Sequence, residues 1–288
     1  MYEKFIQGKR LAELSTFGIG GPARYFIEIH DQVEAERVIQ FCHEKQLPYF
    51  VLGKGSNCLF SDQGFEGLVI LNKIDFCHQE EDSVFYVGAG YSFSLLGIQT
   101  ARKGFSGLEF AAGIPATVGG AIYMNAGAQG CETQTPLISV EFINEQGTCI
   151  ELKKEELEFR YRFSSFQNRK GIIVGARFLL SHSDEAKSRQ RQLLDYRIQT
   201  QPYHEKSAGC VFRNPVGASA GALIDQSGLK GMRIGDAKVS EMHANFLVNA
   251  STASSIDMRA LIEHVRHTVK ERTGFDLEHE IRFIGPHS

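Results

Sequence analysis

Two hydrophobic periods alternate along the chain, and they separate its helices from its strands. In "DQVEAERVIQFCHEKQ" (31–46) the apolar residues Ala35, Val38, Ile39 and Cys42 recur at i, i+3, i+4 and i+7, the spacing that lines one face of an α-helix. Asp31 stands at the N-cap position with Glu34 three residues on, so the helix is expected to start there. Cys42 thereby reads as a core residue. On either side, "ARYFIEI" (23–29) alternates like a half-buried strand and "PYFVLG" (48–53) reads as a buried one; the three make a βαβ-like unit.

Further on, "GLVIL", "SVFYVGAG", "LISVEFIN", "CIELKK" and "GIIVGARFLL" are short runs separated by turn residues such as Glu145-Gln146-Gly147, and the middle of the chain is predicted to be strand-rich. An Arg/Gln-rich helical pattern from Ser183 to Gln201 stops at Pro202, which places a connecting helix and a domain boundary there. The last strong helix is predicted from about Ser255 to Thr273, with Met258, Leu261, Ile262, Val265 and Val269 on one face. Gly274 suits its C-terminal cap.

Composition narrows the function classes. At 288 residues, 42% hydrophobic and 23% charged, the chain reads as an ordinary globular protein of two or three subdomains. A net charge of −3 and the lack of a basic stripe argue against nucleic-acid and anionic-membrane partners. The N-terminal "MYEKFIQGKRLAEL" has no signal-like apolar run, and no window approaches the roughly 18 apolar residues of a membrane span. A cytoplasmic protein is expected. The six cysteines are scattered, with no C-x-x-C pair, so neither a disulfide framework nor a metal site is expected.

Glycine changes the picture. The 29 glycines bunch between Gly53 and Gly67, Gly104 and Gly130, and Gly209 and Gly235; such bunching marks tight turns or close approach to a ligand. In "VLGKGSNCLFSDQGFEGLVI" (51–70) a strand delivers the chain to Gly53-Lys54-Gly55-Ser56-Asn57. Peptide N–H groups of a glycine-rich turn converge on anions, and Ser56 and Asn57 add side-chain donors. No helix opens after these glycines and no G-K-[ST] ending follows, so neither a Rossmann fingerprint nor a P-loop is present. A pair of tight turns between strands is the plainer alternative. The second stretch, "GLEFAAGIPATVGGAIYMNAGAQG" (107–130), adds Gly113, Gly119 and Gly120 among small residues, with Pro115 stiffening the turn. Together the two stretches suggest a dinucleotide whose pyrophosphate is held by backbone groups.

The segments "STFGIGGPARYF", "VLGKGSNCLFSDQGFEGLVI", "GLEFAAGIPATVGGAIYMNAGAQG", "FRYRFSSF", "SAGCVFRNP", "GLKGMRIGDAKVSEMHANFLVN" and "LEHEIRFIG" occur together and in order. From about residue 10 to 285 the chain resembles the UDP-N-acetylenolpyruvoylglucosamine reductase family, and "NAGAQG" with the short chain looks like its type II branch. The resemblance implies an α+β protein: a two-subdomain FAD-binding fold of the vanillyl-alcohol-oxidase kind plus a C-terminal α+β substrate-binding domain. On this chain it implies FAD subdomains at 1–70 and 71–182, a connecting helix at 183–200 and a substrate-binding domain at 201–288. It also implies bound FAD, NADPH as hydride donor and a nucleotide-sugar substrate, and a monomer is expected. Its cofactor motifs fall on Gly53, Lys54, Gly55, Ser56, Asn57, Gly113, Ile114, Pro115, Thr117, Gly119 and Gly120.

Adding hydride to an enolpyruvyl group pushes negative charge onto its carboxylate, which calls for a cation or hydrogen-bond donors and an acid. By resemblance the cation is Arg162, whose planar fork suits a carboxylate. Strand alternation through "FRYRFSSF" would put Arg160 on the same face, so periodicity does not choose between them. Glu280 is implied as the second group, with Glu278 two residues away on the same strand face. Cys210 falls where many relatives carry a proton-donating serine, and a thiol of ordinary pKa near ~8.5 is mostly protonated at neutral pH. Asn214 matches a substrate-binding asparagine. Arg213 replaces the more usual lysine before it, keeping charge while altering reach. His243 falls where relatives use a polar substrate contact, although a lone histidine is more often a core or surface residue. Lys54 stands where glycine is more common. Two other classes remain: another FAD oxidoreductase of this fold acting on a sugar or alcohol, and a non-catalytic flavin-binding sensor. Either would be expected to lack the trio Arg162, Cys210 and Glu280.

Overall fold

The computed structural model describes residues 1–81 and 83–286; the last two residues of the 201–288 segment lie outside them. Helix α1 spans Gln32–Glu44 and buries Ala35, Val38, Ile39 and Cys42. Its start is closed reciprocally: Asp31 accepts the Glu34 N–H at 2.8 Å, and the Glu34 carboxylate accepts the His30 N–H at 2.9 Å. Burial pushes the Cys42 thiol up to about 12, which makes it an inert core group. The flanking strands Pro22–Ile29 and Tyr49–Leu52 form as expected. The strand Phe65–Asn72 lies between them in the sheet, pairing in parallel with Tyr49–Leu52.

The chain divides into two compact units. One comprises Met1–Ile6, Phe26–Lys54 and Gly67–Arg197; the other comprises Gln7–Tyr25, Gly55–Glu66 and Ile198–Ser288.

In the first unit a five-stranded antiparallel sheet runs in the order Cys149–Lys153, Leu137–Asn144, Gly171–Leu179, Val84–Gly88, Cys77–Glu81. Helices α2 (Phe93–Arg102) and α3 (Val118–Met124) share its core, which is centred on Phe85, Phe93, Phe110, Val140 and Phe178. The strand-rich reading of this region omitted both helices. Their glycines, Gly97, Gly119 and Gly120, weaken helix propensity by about 1 kcal/mol each. Gly97 is needed nonetheless, because a Cβ there would sit 2.4 Å from the Leu108 carbonyl oxygen. The charged helix α4 (Ala186–Thr200) buries only Ala186 and Gln190, as its sequence pattern requires.

In the second unit a four-stranded antiparallel sheet has the order Lys206–Cys210, Phe246–Asn249, Ala237–Val239, Arg233–Ile234. Helix α5 (Ala220–Gln226) and helix α6 (Ser255–Thr273) pack into its core with Phe17, Leu59 and Phe212. The predicted face of α6 is buried, and Gly274 ends the helix at φ 79°. Ser254 and Asp257 form a capping box at its start. Caps contribute about 1 kcal/mol, against roughly 1.5–3 kcal/mol for each of the five buried apolar side chains. Packing therefore decides that α6 forms, and the caps decide where it starts and stops. Among the described residues no helix is long and apolar enough to cross a membrane.

Candidate active site

Cys210 closes the strand Lys206–Cys210 opposite Phe246, just after the pairing register shifts between Ser207 and Cys210. The irregularity is made by Gly209, at φ 76° with open space where a Cβ would stand. Beyond it, the Val211 N–H donates to the Asn245 carbonyl at 2.9 Å. On the opposite edge the Glu280 N–H donates to the Val211 carbonyl at 2.7 Å and the Arg213 N–H to the Glu278 carbonyl at 2.8 Å. Phe212 and His279 form the bridge between these two bonds. Residues 211–213 thus behave as a short strand with Cys210 at its entry and Glu280 alongside.

The run continues into the glycine loop. The Asn57 side-chain amide donates to the Glu280 carbonyl at 3.2 Å, and the Arg282 N–H donates to the Asn57 carbonyl at 2.9 Å. The strand Arg282–Ile284 then pairs in parallel with Cys58–Phe60. Gly55 adopts φ 67°, and a Cβ there would fall 2.0 Å from the Leu14 carbonyl oxygen; only glycine fits. Ser56 and Asn57 are half-buried beside it. Asn57, Cys210 and Glu280 therefore lie along one hydrogen-bonded path.

Exposure separates the two glutamates that periodicity left equivalent. The Glu278 side chain is 78% exposed and pairs with Arg213 at 3.8 Å, a contact worth little in solvent. Glu280 is half-buried. It sits in an extended segment just before the strand Arg282–Ile284.

Two of the substrate-binding candidates, Asn214 and His243, meet α5. Asn214 accepts the Ala220 N–H at 2.9 Å and so holds the start of that helix. Further along α5, a Cβ at Gly221 would lie 3.2 Å from the His243 ring. His243 is half-buried, and burial holds its pKa below the ordinary 6.5. Its Nδ1 accepts the Asn245 N–H at 3.3 Å, which assigns the neutral ring's proton to Nε2.

The first unit carries Arg162, and here the strand reading fails. "FRYRFSSF" is a hairpin: Phe159 and Arg160 pair with Ser164 and Phe163 across the turn Tyr161-Arg162. Arg160 and Arg162 therefore do not share a strand face. Arg160 is exposed, stacked on Phe163 at 4.4 Å and paired with Glu158 at 3.0 Å. Arg162 is half-buried over the Tyr161 ring at 5.0 Å, with φ 57°. That left-handed conformation costs a non-glycine residue about 1–2 kcal/mol. Strain of this kind is concentrated at functional sites.

The hairpin is tied to the C-terminal end of α3. Ser164 and Gln167 both donate to the Tyr123 carbonyl, at 2.7 and 3.0 Å. Fully buried Asn125 donates to the Arg160 carbonyl at 3.0 Å and to Glu132 at 2.9 Å. The seven residues of α3 separate this anchor from the helix start by about 10 Å. At that start Thr117 accepts the Gly120 N–H at 3.3 Å, and the Gly119 N–H donates to the Ala89 carbonyl at 2.8 Å. Just upstream, Gly113 (φ 81°) donates to Ser94 at 2.8 Å, and Ile114 and exposed Pro115 follow. A Cβ at Gly53 would sit 2.4 Å from the Thr117 hydroxyl. Gly53 and the start of α3 thus approach without room for a side chain at Gly53, beside a stretch from Gly113 to Gly120 that carries no charged residue. Such a cradle fits a dinucleotide cofactor. Lys54 is exposed at its edge.

Residues 201–284 match the family model described as UDP-N-acetylenolpyruvoylglucosamine reductase, C-terminal domain, and residues 23–153 match that of an FAD binding domain. The UDP-N-acetylenolpyruvoylglucosamine reductase of Protochlamydia amoebophila is 57% identical over 95% of this chain and 92% of its own. The chain belongs to the UDP-N-acetylenolpyruvoylglucosamine reductase family. The reductase of Chlamydia muridarum is 51% identical over 95% of this chain and 92% of its own. The crystal structure of the reductase from Thermus caldophilus superposes with a TM-score of 0.83 at 37% identity, covering 97% of this chain and 98% of that one. The α+β architecture, with an FAD-binding domain followed by the family's C-terminal domain, is therefore that of the reductases.

Two residues of this reductase-family site were not picked out from sequence. Asn125 and Asn245 are both buried, and each holds backbone next to a candidate catalytic group. Their only sequence signal was an amide residue inside a glycine-rich or apolar stretch.

Proposed function

We propose that the protein reduces UDP-N-acetylglucosamine enolpyruvate to UDP-N-acetylmuramate with NADPH, a cytoplasmic step in peptidoglycan precursor synthesis. The observation that carries this reading is the hydrogen-bonded path joining Asn57, Glu280 and the Cys210 turn. It supports the reading because Asn57, Glu280 and the Cys210 turn belong to the same unit. FAD would be held by Gly53, Gly55, Ser56, Asn57, Gly113, Ile114, Pro115, Thr117, Gly119 and Gly120, with Lys54 at the solvent edge. When bound, FAD supplies hydride chemistry between NADPH and the methylene carbon of the enolpyruvyl ether.

The chain's own groups manage charge and the proton. Arg162 pairs with the substrate carboxylate as negative charge builds there, and its guanidinium keeps its charge at any working pH. Glu280, in its acid form, donates to the enolate oxygen. The Cys210 Sγ–H bond breaks as a C–H bond forms at the carbon next to the methylene, and the thiolate left behind is reprotonated by solvent. Asn214, Arg213 and His243 hold the nucleotide sugar, with His243 neutral and donating from Nε2.

The test separates the two half-reactions. Cys210→Ala is expected to be reduced by NADPH at close to the native rate and to be reoxidised by the enolpyruvyl sugar about 10²–10⁴-fold more slowly. Cys210→Ser is expected to retain substantial activity. Normal turnover by Cys210→Ala would remove the donor assignment, and reoxidation by oxygen alone with no response to the enolpyruvyl sugar would remove the function.

A further inference from the structure

Asn245 is 2% exposed and commits its whole side chain to one neighbour. Its Nδ2 donates to the Phe212 carbonyl at 2.8 Å and its Oδ1 accepts the Phe212 N–H at 2.9 Å. Its own backbone carbonyl accepts the Val211 N–H at 2.9 Å, and its N–H is received by His243 Nδ1 at 3.3 Å. An amide side chain offers one donor face and one acceptor face, as a peptide group does. Asn245 therefore carries the ladder between the strands Lys206–Cys210 and Phe246–Asn249 past Cys210, where regular pairing has ended.

The segment held in this way is the one that meets Glu280. Its other edge is bonded through the Val211 carbonyl to the Glu280 N–H and through the Arg213 N–H to the Glu278 carbonyl. Phe212 is fully buried, so its N–H and C=O have no water to turn to if Asn245 is lost.

We propose that Asn245 is the positioning residue that fixes the Cys210 thiol in register with Glu280, its own N–H held by His243 Nδ1. It acts through the backbone of residues 211–213 and touches neither substrate nor cofactor. The proposal rests on Cys210 being the proton donor.

Asn245→Asp in the full-length, flavin-loaded protein gives a readout that a merely structural role would not move. A protonated aspartic acid reproduces one donor and one acceptor; an ionised one sets two acceptors against the Phe212 carbonyl. Burial raises such a carboxyl pKa. Its titratable and charged neighbours are His243 on its own side and Cys210, Arg213, Glu278, His279 and Glu280 around the 210–213 segment. All of these are also present in the native protein, whose profile is the control. Reduction by NADPH is expected to stay within about 2-fold of native. Reoxidation by the enolpyruvyl sugar is expected to fall at least about 10-fold as pH rises through the new carboxyl's range, and to recover on acidification, with the change in kcat rather than KM. Asn245→Ala is expected to slow reoxidation about 10–10²-fold, and to add no more than about 2-fold on top of Cys210→Ala, because both act on one proton. A pH-flat Asn245→Asp profile, full multiplicativity with Cys210→Ala, or equal slowing of both half-reactions overturns the proposal. If Asn245→Ala does not fold, the Asp variant decides alone. Native-rate reoxidation by Cys210→Ala would remove the donor reading and this proposal together, whereas a slow Cys210→Ala with a pH-flat Asn245→Asp removes only the proposal.

Discussion

The backbone N–H of Glu280 donates to the carbonyl oxygen of Val211 at 2.7 Å. The carboxyl group and the thiol proposed to act together are thus held across a single peptide hydrogen bond, with Cys210 the next residue along. Because that bond uses only backbone, Glu280→Gln is expected to leave the local backbone pairing in place. Loss of the acid is expected to slow reoxidation by the enolpyruvyl sugar about 10²–10³-fold while sparing reduction by NADPH. Stopped-flow traces of the two half-reactions check this.

Arg162 sets turnover and stability against each other. Replacing it by glycine relieves about 1–2 kcal/mol of left-handed strain and loses a ring contact with Tyr161 worth about 0.5–1 kcal/mol. The relieved strain offsets the loss of that ring contact, whereas turnover drops at least about 10²-fold with the missing cation. Arg162→Lys is expected to recover only part of that loss, because the fork geometry is absent. Thermal melts run beside steady-state rates test both statements.

Gly53 and Thr117 give a paired test of the cofactor cradle. Gly53→Ala places a methyl group about 2.4 Å from the Thr117 hydroxyl oxygen, and the purified protein is expected to lose flavin. Adding Thr117→Ala removes the atom in conflict at the cost of the α3 cap, roughly 1 kcal/mol. The double variant is expected to retain more flavin than Gly53→Ala alone. Visible absorbance per mole of protein is the measurement.

Acid should weaken the second unit through its histidines. Burial depresses the pKa of both His243 and His279, the latter against an opposing pull from Glu263. A depressed folded-state pKa means that the unfolded chain binds more protons between that value and the ordinary 6.5, so stability rises with pH through this window. The contribution is fully present above the ordinary value and is lost as pH falls through the folded one. The melting temperature is expected to decline as pH falls below that ordinary value. His243→Gln is expected to flatten part of that slope.

Helices α1 and α6 were legible in the sequence because each carries both a periodic apolar face and its own punctuation. Asp31 marks the start of α1, and Gly274 closes α6. Helices α2, α3 and α5 were not, since their glycines and small residues read equally well as turns and only tertiary packing favours the helix. Choosing Arg162 over Arg160 and Glu280 over Glu278 lay beyond periodicity for a different reason. A two-residue turn breaks the alternation at the first pair, and exposure set by distant parts of the unit separates the second. Asn245 was invisible because a clamp on Phe212, 33 residues away, leaves no local pattern.

The glycine loop at 53–57 is shaped by a partner 223 residues further along, where Asn57 meets Glu280, and by the parallel pairing of Cys58–Phe60 with Arg282–Ile284. Contacts of such separation form late, because the entropy of closing the intervening chain has to be met before they contribute. A refolding chain is therefore expected to regain α6 and the antiparallel hairpins well before it regains colour. Flavin uptake then reports the last event of folding, and a protein that is already helical by circular dichroism can still be waiting for its cofactor.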